Sequence, residues 1–265
     1  MKIGFIGLGN MASAMIGGML KQQIVTKEEI FGAEKFPQAA QKAKDKLGID
    51  VTSSNKEVAA RADVLFLAIK PNVLPTVLEE ISDVLRKDTI VVSIVAGKSL
   101  AFIAEGLKST AHKLVRCMPN TPALVLEGCT GVCANENVST QEMEQVLSLL
   151  SSFGLAEEVP EKLMDAVVGV SGSSPAYVFL FIEAMADAAV AAGMPRAQAY
   201  RFASQAVLGS AKMVLETGKH PGELKDMVCS PGGTTIDAVK VLEEKGLRAA
   251  VMGAMEACID KSKRL

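Results

Sequence analysis

Short apolar runs alternate with helix-forming segments over the first half of the chain. The runs at residues 64–69 and 89–94 are continuously apolar, which is typical of strands that are covered on both faces of a sheet. Strands are predicted at residues 2–7, 30–33, 64–69, 89–94, 113–118 and 131–134. Helical patterns between them cover residues 10–22, 73–84, 100–107 and 140–153, and a further helix opens at Pro37. This alternation predicts an α/β fold with a mostly parallel, doubly wound, Rossmann-like sheet.

The pattern changes near residue 160, because only helical signals follow. They predict helices at residues 161–170, 174–192, 195–217, 222–228, 235–244 and 247–263. Pro195 suits the start of a helix and Gly218 suits the residue after a helix end. We therefore expect a Rossmann-like α/β domain at residues 1–160 and an all-α domain at residues 161–265.

The longest apolar stretch, at residues 176–194, is apolar on nearly all of its helical faces and must be buried. A helical domain of about 100 residues has few interior places for such a helix, so we expect a second copy to cover it in a homodimer. Glu183 and Asp187 fall on one face, which argues against a membrane span. The N-terminus reads as a strand and a turn rather than a signal peptide, and a cytoplasmic location is expected.

Composition narrows the possible partners. The chain has a formal net charge of -2, only 4% aromatic residues and no Trp. It shows no basic stripe and no set of aromatic side chains on which bases could stack, so nucleic acid is not an expected partner.

The cysteines do not form a recognisable framework. Their odd count of five argues against a disulfide scaffold, and Cys129 and Cys133 point to the same side of a predicted strand. A metal site would need further ligands, and the only histidines are His112 and His220. We therefore expect buried, reduced thiols and no metal site.

The turn after the first predicted strand has the pattern G-x-G-x-x-A. Gly7 permits a tight turn, Gly9 lets the backbone approach a pyrophosphate, and Ala12 lets the helix pack closely on the strand. The turn lies between a strand and a helix, as a dinucleotide site requires. The predicted cofactor contacts here are Gly7, Gly9, Asn10, Met11 and Ala12.

Two charged residues follow the second predicted strand, where the adenosine ribose is read. Glu34 would accept hydrogen bonds from a free 2′-hydroxyl and repel a 2′-phosphate, whereas Lys35 would neutralise that phosphate. Both could also be solvated turn charges. The cofactor is therefore expected to be NADPH or NADH, since Glu34 and Lys35 favour opposite ones.

Six motifs, in order, resemble those of the pyrroline-5-carboxylate reductase family. They are residues 7–12 (GLGNMA), 68–71 (AIKP), 95–97 (VAG), 118–122 (MPNTP), 172–177 (GSSPAY) and 230–235 (SPGGTT). The resemblance covers nearly the whole chain, and the last motif is the most specific. It implies NAD(P)H-dependent reduction of 1-pyrroline-5-carboxylate, a small cyclic imine, to L-proline. It also implies a helical dimerisation domain, with a larger homo-oligomer such as a decamer left open.

The resemblance assigns roles residue by residue. Asn55 matches a position that contacts the adenosine end of the cofactor. Further cofactor contacts are implied for Ala68, Lys70, Pro71, Ala96 and Asn120. Substrate binding is implied for Ser230, Gly232, Gly233, Thr234 and Thr235. The residues alone leave Lys70 open as a phosphate contact or a surface charge, and Glu34 departs from the small polar residue frequent in the family.

The residue pattern around Thr235 agrees with a carboxylate site. Two glycines precede a helix predicted to begin near Thr235, and free backbone N–H groups at such a place bind carboxylates. The alternative is a plain helix cap made by Thr234 or Thr235. We expect the Thr235 hydroxyl to reach the ring nitrogen, which makes it the predicted catalytic residue.

The expected chemistry needs no strong general acid, because a cyclic imine can arrive already protonated. One rival is a β-hydroxyacid dehydrogenase-like reductase, which carries a Lys after a comparable turn; residues 172–182 contain no Lys or Arg. A second rival is a dinucleotide-sensing protein without turnover. A related ring, 1-piperideine-2-carboxylate, stays open as a substrate.

Overall fold

A computed structural model describes residues 1–264 of the chain. The first part of the chain forms one eight-stranded sheet. The strands are β1 Ile3–Ile6, β2 Ile30–Ala33, β3 Asp50–Thr52, β4 Val64–Leu67, β5 Ile90–Ser93, β6 Lys113–Met118, β7 Gly128–Ala134 and β8 Gly154–Glu158. Their order is β3-β2-β1-β4-β5-β6-β7-β8, and only the pairing of β6 with β7 is antiparallel. The predicted mostly parallel, doubly wound sheet is confirmed.

Helices connect the strands and cover both faces of the sheet. They are α1 Asn10–Lys21, α2 Pro37–Leu47, α3 Asn55–Arg61, α4 Leu74–Ile81, α5 Leu100–Gly106 and α6 Thr140–Ser151. Local sequence explains their limits. Pro37 opens α2, and Gly48 ends it with a φ of 68°. Ser54, Ser99 and Ser139 cap α3, α5 and α6 by accepting hydrogen bonds from backbone N–H groups three residues on.

The core has two layers because alternate residues of each buried strand face opposite sides. Phe5 and Phe66 lie in the layer beneath α1 and α6 and stack with ring centroids 4.7 Å apart. Leu65 and Leu67 of the same strand β4 face the other layer, beneath α3 to α5. Buried strands with apolar residues on both faces therefore explain the unbroken apolar runs of the sequence.

Two edge strands and one short α-helix were not predicted from the sequence. The strands β3 and β8 lie at the two edges of the sheet, where residues are partly exposed and no apolar run develops. Helix α3 is only seven residues long, which gives little helical periodicity to detect. The two edge strands were missed because they lack an apolar run, and the helix because it spans only about two turns.

The chain divides into two compact units. The first comprises Met1–Ser173 together with the end of the chain from Cys258, and the second comprises Ser174–Ala257. The segment between the predicted boundary at residue 160 and Ser173 therefore packs with the sheet unit. It contains a 3-10 turn at Glu161–Leu163, helix α7 at Met164–Val167 and a π-helical turn at Val168–Gly172.

Side-chain contacts hold the end of the chain to this segment. The Ser262 hydroxyl donates to the Asp165 carboxylate over 2.6 Å, and the Cys258 thiol donates to the Ser173 hydroxyl over 3.1 Å. The last helical turns thus contribute to the first unit, although they follow the second unit in sequence. Only contacts between residues far apart along the chain could reveal this return.

The second unit contains only helices. They are α8 Ser174–Ala191, α9 Arg196–Thr217, α10 Pro221–Val228, α11 Thr234–Glu244 and most of α12 Leu247–Ser262. Ala186 is the only buried residue of α8, whereas Phe179 and Leu180 are 63% and 68% exposed. By length and composition alone, the helical stretch Glu161–Ala191 could cross a membrane. It carries Glu183 and Asp187, and most of its apolar surface lacks cover within one chain.

Candidate active site

A cavity of about 490 Å³ lies in the first unit, where β1, β2 and β4 end. The carboxyl ends of parallel strands meet at one edge of the sheet, which is where ligands of doubly wound folds bind. Seven predicted cofactor residues line this cavity, namely Gly7, Gly9, Glu34, Lys35, Asn55, Ala68 and Lys70. Tertiary structure thus brings together residues spread over more than sixty positions of sequence.

The glycine turn fits an anionic group. Gly7 has a φ of +89°, and a Cβ there would lie 2.5 Å from the Ala68 carbonyl oxygen, so only glycine is accommodated. Gly9 is the N-cap of α1, and a Cβ on it would meet nothing within 4 Å, which leaves room for close approach of a ligand. No side chain caps α1, and its first turn carries no acidic residue. Its first N–H groups are therefore available to a pyrophosphate.

The Glu34 carboxylate is held against this turn. One of its oxygens accepts from the Leu8 backbone N–H over 3.3 Å, and the other accepts from the Phe36 N–H over 3.2 Å. The side chain is partly buried and lines the cavity. In dinucleotide-binding folds of this type, the acid that hydrogen-bonds the ribose follows the second strand, as Glu34 does here.

Lys35 points to a different partner. Its Nζ lies 3.5 Å from Glu80 Oε2, and the same oxygen accepts a hydrogen bond of 2.9 Å from Asn55 Nδ2. Asn55 is 3% exposed, so its amide is oriented mainly by this bond. Glu80, on α4, was not singled out from the sequence, because it lies 25 residues from Asn55 and in no recognisable motif. It partly neutralises Lys35 and orients Asn55.

The remaining predicted cofactor residues lie outside the cavity lining. Ala12 is buried in the core at 1% exposure, which agrees with close packing of α1 on the sheet. Asn10 is exposed on the first turn of α1, and Met11 is half-buried. Pro71 and Ala96 are half-buried in the loops after β4 and β5. Their predicted cofactor contacts stay predictions.

The side chain of Asn120 has a clear structural role. Its Nδ2 donates to the Ser171 carbonyl oxygen over 2.9 Å, and its Oδ1 accepts from the Cys129 N–H over 2.8 Å. The residue is 7% exposed. Its amide therefore fastens the loop after β6 to β7 and to the π-helical turn, and a cofactor contact at this position would fall to its backbone.

Several cavity residues were not predicted. Phe36 and Ala39 follow β2, and Asn72, Val73 and Val77 lie after β4. Apolar residues near a strand end carry no chemical signal of their own, so only the tertiary structure reveals that they line the cavity. The one sequence signal at these positions is that Phe36 lies two residues after Glu34, the acid predicted to contact the ribose.

The predicted substrate loop lies in the second unit. Helix α11 begins at Thr234, one residue before the predicted start, and Gly233 is its N-cap. The Gly233 N–H donates to the Ser230 carbonyl oxygen over 3.0 Å, and Gly232 has a φ of +69°. The alternative in which Thr234 or Thr235 caps the helix is wrong, because no side chain makes the capping hydrogen bond. The first N–H groups of α11 are therefore available to a carboxylate.

The thiols and histidines do not extend this site. Burial raises the pKa of Cys133 to about 11 and raises that of Cys117 further, so both are neutral thiols. Burial also lowers the pKa of His112, and His220 caps α10 by accepting from the Gly222 N–H over 3.1 Å. Within residues 1–264, no three His, Cys, Asp or Glu side chains form a metal-binding group.

Comparison with known proteins decides the family. A model described as pyrroline-5-carboxylate reductase dimerisation matches residues 161–265, and one described as NADP oxidoreductase coenzyme F420-dependent matches residues 2–97. The pyrroline-5-carboxylate reductase of Escherichia coli K12 is 55% identical over 264 residues, covering 100% of this chain and 98% of the relative. This chain belongs to the pyrroline-5-carboxylate reductase family. The predicted resemblance is confirmed.

Other members of the pyrroline-5-carboxylate reductase family agree in sequence and structure. The Methanosarcina acetivorans protein is 45% identical and covers 100% of this chain and 97% of its own. The Coxiella burnetii structure has a TM-score of 0.92 at 36% identity, covering 99% of this chain and 97% of that one. The Plasmodium falciparum structure, with NADP bound, has a TM-score of 0.88 at 35% identity and the same coverage. The expectation of a helical domain that mediates oligomerisation is also confirmed, because residues 161–265 match the dimerisation model.

Proposed function

We propose that this chain reduces 1-pyrroline-5-carboxylate to L-proline, with NADPH or NADH as the reductant. The observation that carries the proposal is a pair of helix starts without a side-chain cap: that of α1 at the cavity, and that of α11 after Gly232 and Gly233. The first suits the pyrophosphate of a dinucleotide and the second suits the carboxylate of a small substrate. Membership of the pyrroline-5-carboxylate reductase family selects the imine among the small carboxylates.

Residues of α11 bind and orient the substrate. The N–H groups of Thr234 and Thr235 hold the carboxylate, and Pro231 stiffens the approach to the helix. The Thr235 side chain is half-buried, and its hydroxyl has no hydrogen-bond partner among the described residues. It is therefore available to accept a hydrogen bond from the protonated ring nitrogen.

The reaction needs orientation more than acid–base catalysis. When bound, the nicotinamide supplies the hydride that adds to the carbon of the C=N bond. The ring nitrogen already carries its proton, so the product amine forms without a proton donor from the chain. This agrees with the placement of His112 and His220, neither of which lines the cavity. Proximity and orientation of the nicotinamide ring and the cyclic imine then supply most of the rate enhancement.

The finer organisation forms part of the proposal. Residues 1–160 bind the dinucleotide, and residues 161–265 dimerise and bind the substrate. The enzyme works as a homodimer, which can assemble further into a decamer, because the exposed apolar faces of α8 need a second copy as cover. It works in the cytoplasm, a reducing compartment that suits five free cysteines. Nucleic acid and membrane are not among its partners.

Reduction of the imine is the direct test of the function. We expect the purified protein to oxidise NADPH or NADH with 1-pyrroline-5-carboxylate, and to do so faster than with any 2-keto acid. Cofactor absorbance follows the rate, and chromatography identifies proline as the product. Faster turnover of a keto acid or hydroxy acid would favour a β-hydroxyacid dehydrogenase, and cofactor binding without any turnover would favour a sensor. The same assay with 1-piperideine-2-carboxylate tests whether the related six-membered cyclic imine is also a substrate.

Cofactor choice is expected to depend on Glu34. We expect Glu34→Ser to raise affinity for NADPH relative to NADH by about two- to fivefold, because repulsion of a 2′-phosphate at a partly exposed site is worth about 0.5–1 kcal/mol. Fluorescence titration gives the two Kd values. Their ratio cancels any loss common to both cofactors when the carboxylate no longer accepts from Leu8 and Phe36.

Glu144→Ser is the matched control for Glu34→Ser. Glu144 is an exposed acid on α6, outside the cavity lining. Its replacement should leave the NADPH-to-NADH ratio unchanged. An unchanged ratio in Glu34→Ser as well would show that this carboxylate does not face the ribose 2′ position.

A further inference from the structure

We propose that Phe36 is the platform on which the adenine of the dinucleotide stacks. The inference rests on the proposed function only through the dinucleotide. Phe36 is 73% exposed, more than any other large apolar residue of the first unit in the part of the chain that the structure describes. Single exposed apolar side chains are common and need no ligand, so the inference depends on where this ring lies.

Phe36 lines the same cavity as the glycine turn and the ribose-reading acid. Gly9 marks the pyrophosphate position and Glu34 marks the ribose position, and Phe36 follows Glu34 by two residues. The adenine of a dinucleotide comes next after these two groups. Val73 and Val77, which belong to a different segment, line the cavity too. The cavity thus offers apolar side chains from two separate segments to a planar base.

The backbone beneath the ring is fixed before any ligand binds. The Phe36 N–H donates to Glu34 Oε1 over 3.2 Å, and its carbonyl oxygen accepts from the Ala40 N–H over 2.9 Å. Pro37, the next residue, opens α2. Stacking on a ring carried by a rigid backbone loses little conformational entropy on binding. The ring tolerates any substituent on the ribose, so it serves NADH and NADPH equally.

Phe36→Ala tests the platform by binding rather than by turnover. Calorimetry on the full chain should show the Kd for 5′-AMP and for NADH rising roughly tenfold, the scale of one lost base–aromatic stack. The Kd for nicotinamide mononucleotide, which lacks adenine, should not change. Because the ring is 73% exposed, the variant should unfold at the wild-type temperature. Phe36→Tyr keeps an aromatic face and should restore 5′-AMP binding to within about threefold of wild type.

Leu155→Ala supplies the matched control. Leu155 is 55% exposed on β8 and lies outside the cavity lining, so its loss should leave the 5′-AMP Kd unchanged. Sedimentation of the same variants tests the alternative that the exposed Phe36 ring packs against a second copy of the chain. An unchanged 5′-AMP Kd in Phe36→Ala overturns the platform, and a weakened dimer in that variant would identify Phe36 as an interface residue.

The failure of this inference can be told apart from failure of the proposed function. A wild-type protein that binds 5′-AMP through Phe36 but does not reduce 1-pyrroline-5-carboxylate refutes the function and supports the platform. If the wild-type protein reduces the imine but the 5′-AMP Kd is unchanged in Phe36→Ala, the function is supported and the platform is refuted.

Discussion

Thr235→Ala is expected to lower kcat/KM for 1-pyrroline-5-carboxylate by roughly ten- to a hundredfold. The substitution keeps the backbone N–H groups at the start of α11 and removes only the hydroxyl. Carboxylate binding should therefore survive, while orientation of the ring nitrogen suffers. A lost hydrogen bond to a charged group is worth about 1.5–3 kcal/mol, which corresponds to the stated range. Steady-state kinetics, with circular dichroism as a check of folding, measures the effect.

Thr234→Ala is the matched control for Thr235→Ala. Both residues lie in the first turn of α11, but the Thr234 side chain is exposed and that of Thr235 is half-buried. Neither hydroxyl caps the helix, so neither variant should lose the stability of a helix cap. Wild-type efficiency in a folded Thr235→Ala protein would remove its hydroxyl from the catalytic site and leave a backbone role alone.

Leu180→Asp is expected to raise the dimer dissociation constant by at least about a thousandfold and to abolish activity with it. Leu180 and its neighbour Phe179 are 68% and 63% exposed on α8, where Ala186 is the only buried residue. A second copy that covers this face would bury the new carboxylate without a partner, at a cost of several kcal/mol. Two-fold symmetry places the substitution in the interface twice. Sedimentation equilibrium measures the dissociation constant.

Gln145→Asp provides the control, since it places the same charge at an exposed position of α6 in the first unit. It should remain dimeric and active. Leu180→Ala, a milder change, should weaken the dimer less than Leu180→Asp and guards against simple misfolding. A stable, active monomer, or a Leu180→Asp protein that is still dimeric, would refute the proposal that α8 forms the interface.

Local sequence determined the elements whose signals lie within a few residues. The apolar runs of β4 and β5 predicted buried parallel strands, because both faces of a doubly wound sheet are covered. Pro37 and Gly218 marked helix limits through their backbone preferences. The glycine turn was readable because its conformational requirement is met by few residue types. The carboxyl-end rule then placed Glu34 and Ala68 beside it.

The tertiary structure alone decided which polar groups pair across the fold. The Asn55–Glu80 and Asn120–Ser171 hydrogen bonds join residues 25 and 51 positions apart. The first bond orients the Asn55 amide, and the second uses the Asn120 side chain to hold the loop after β6 in place. The limit of the first unit at Ser173 likewise depends on the return of α12 to this segment. Such contacts leave no periodic or local signal, because their geometry exists only once the strands and helices have packed together.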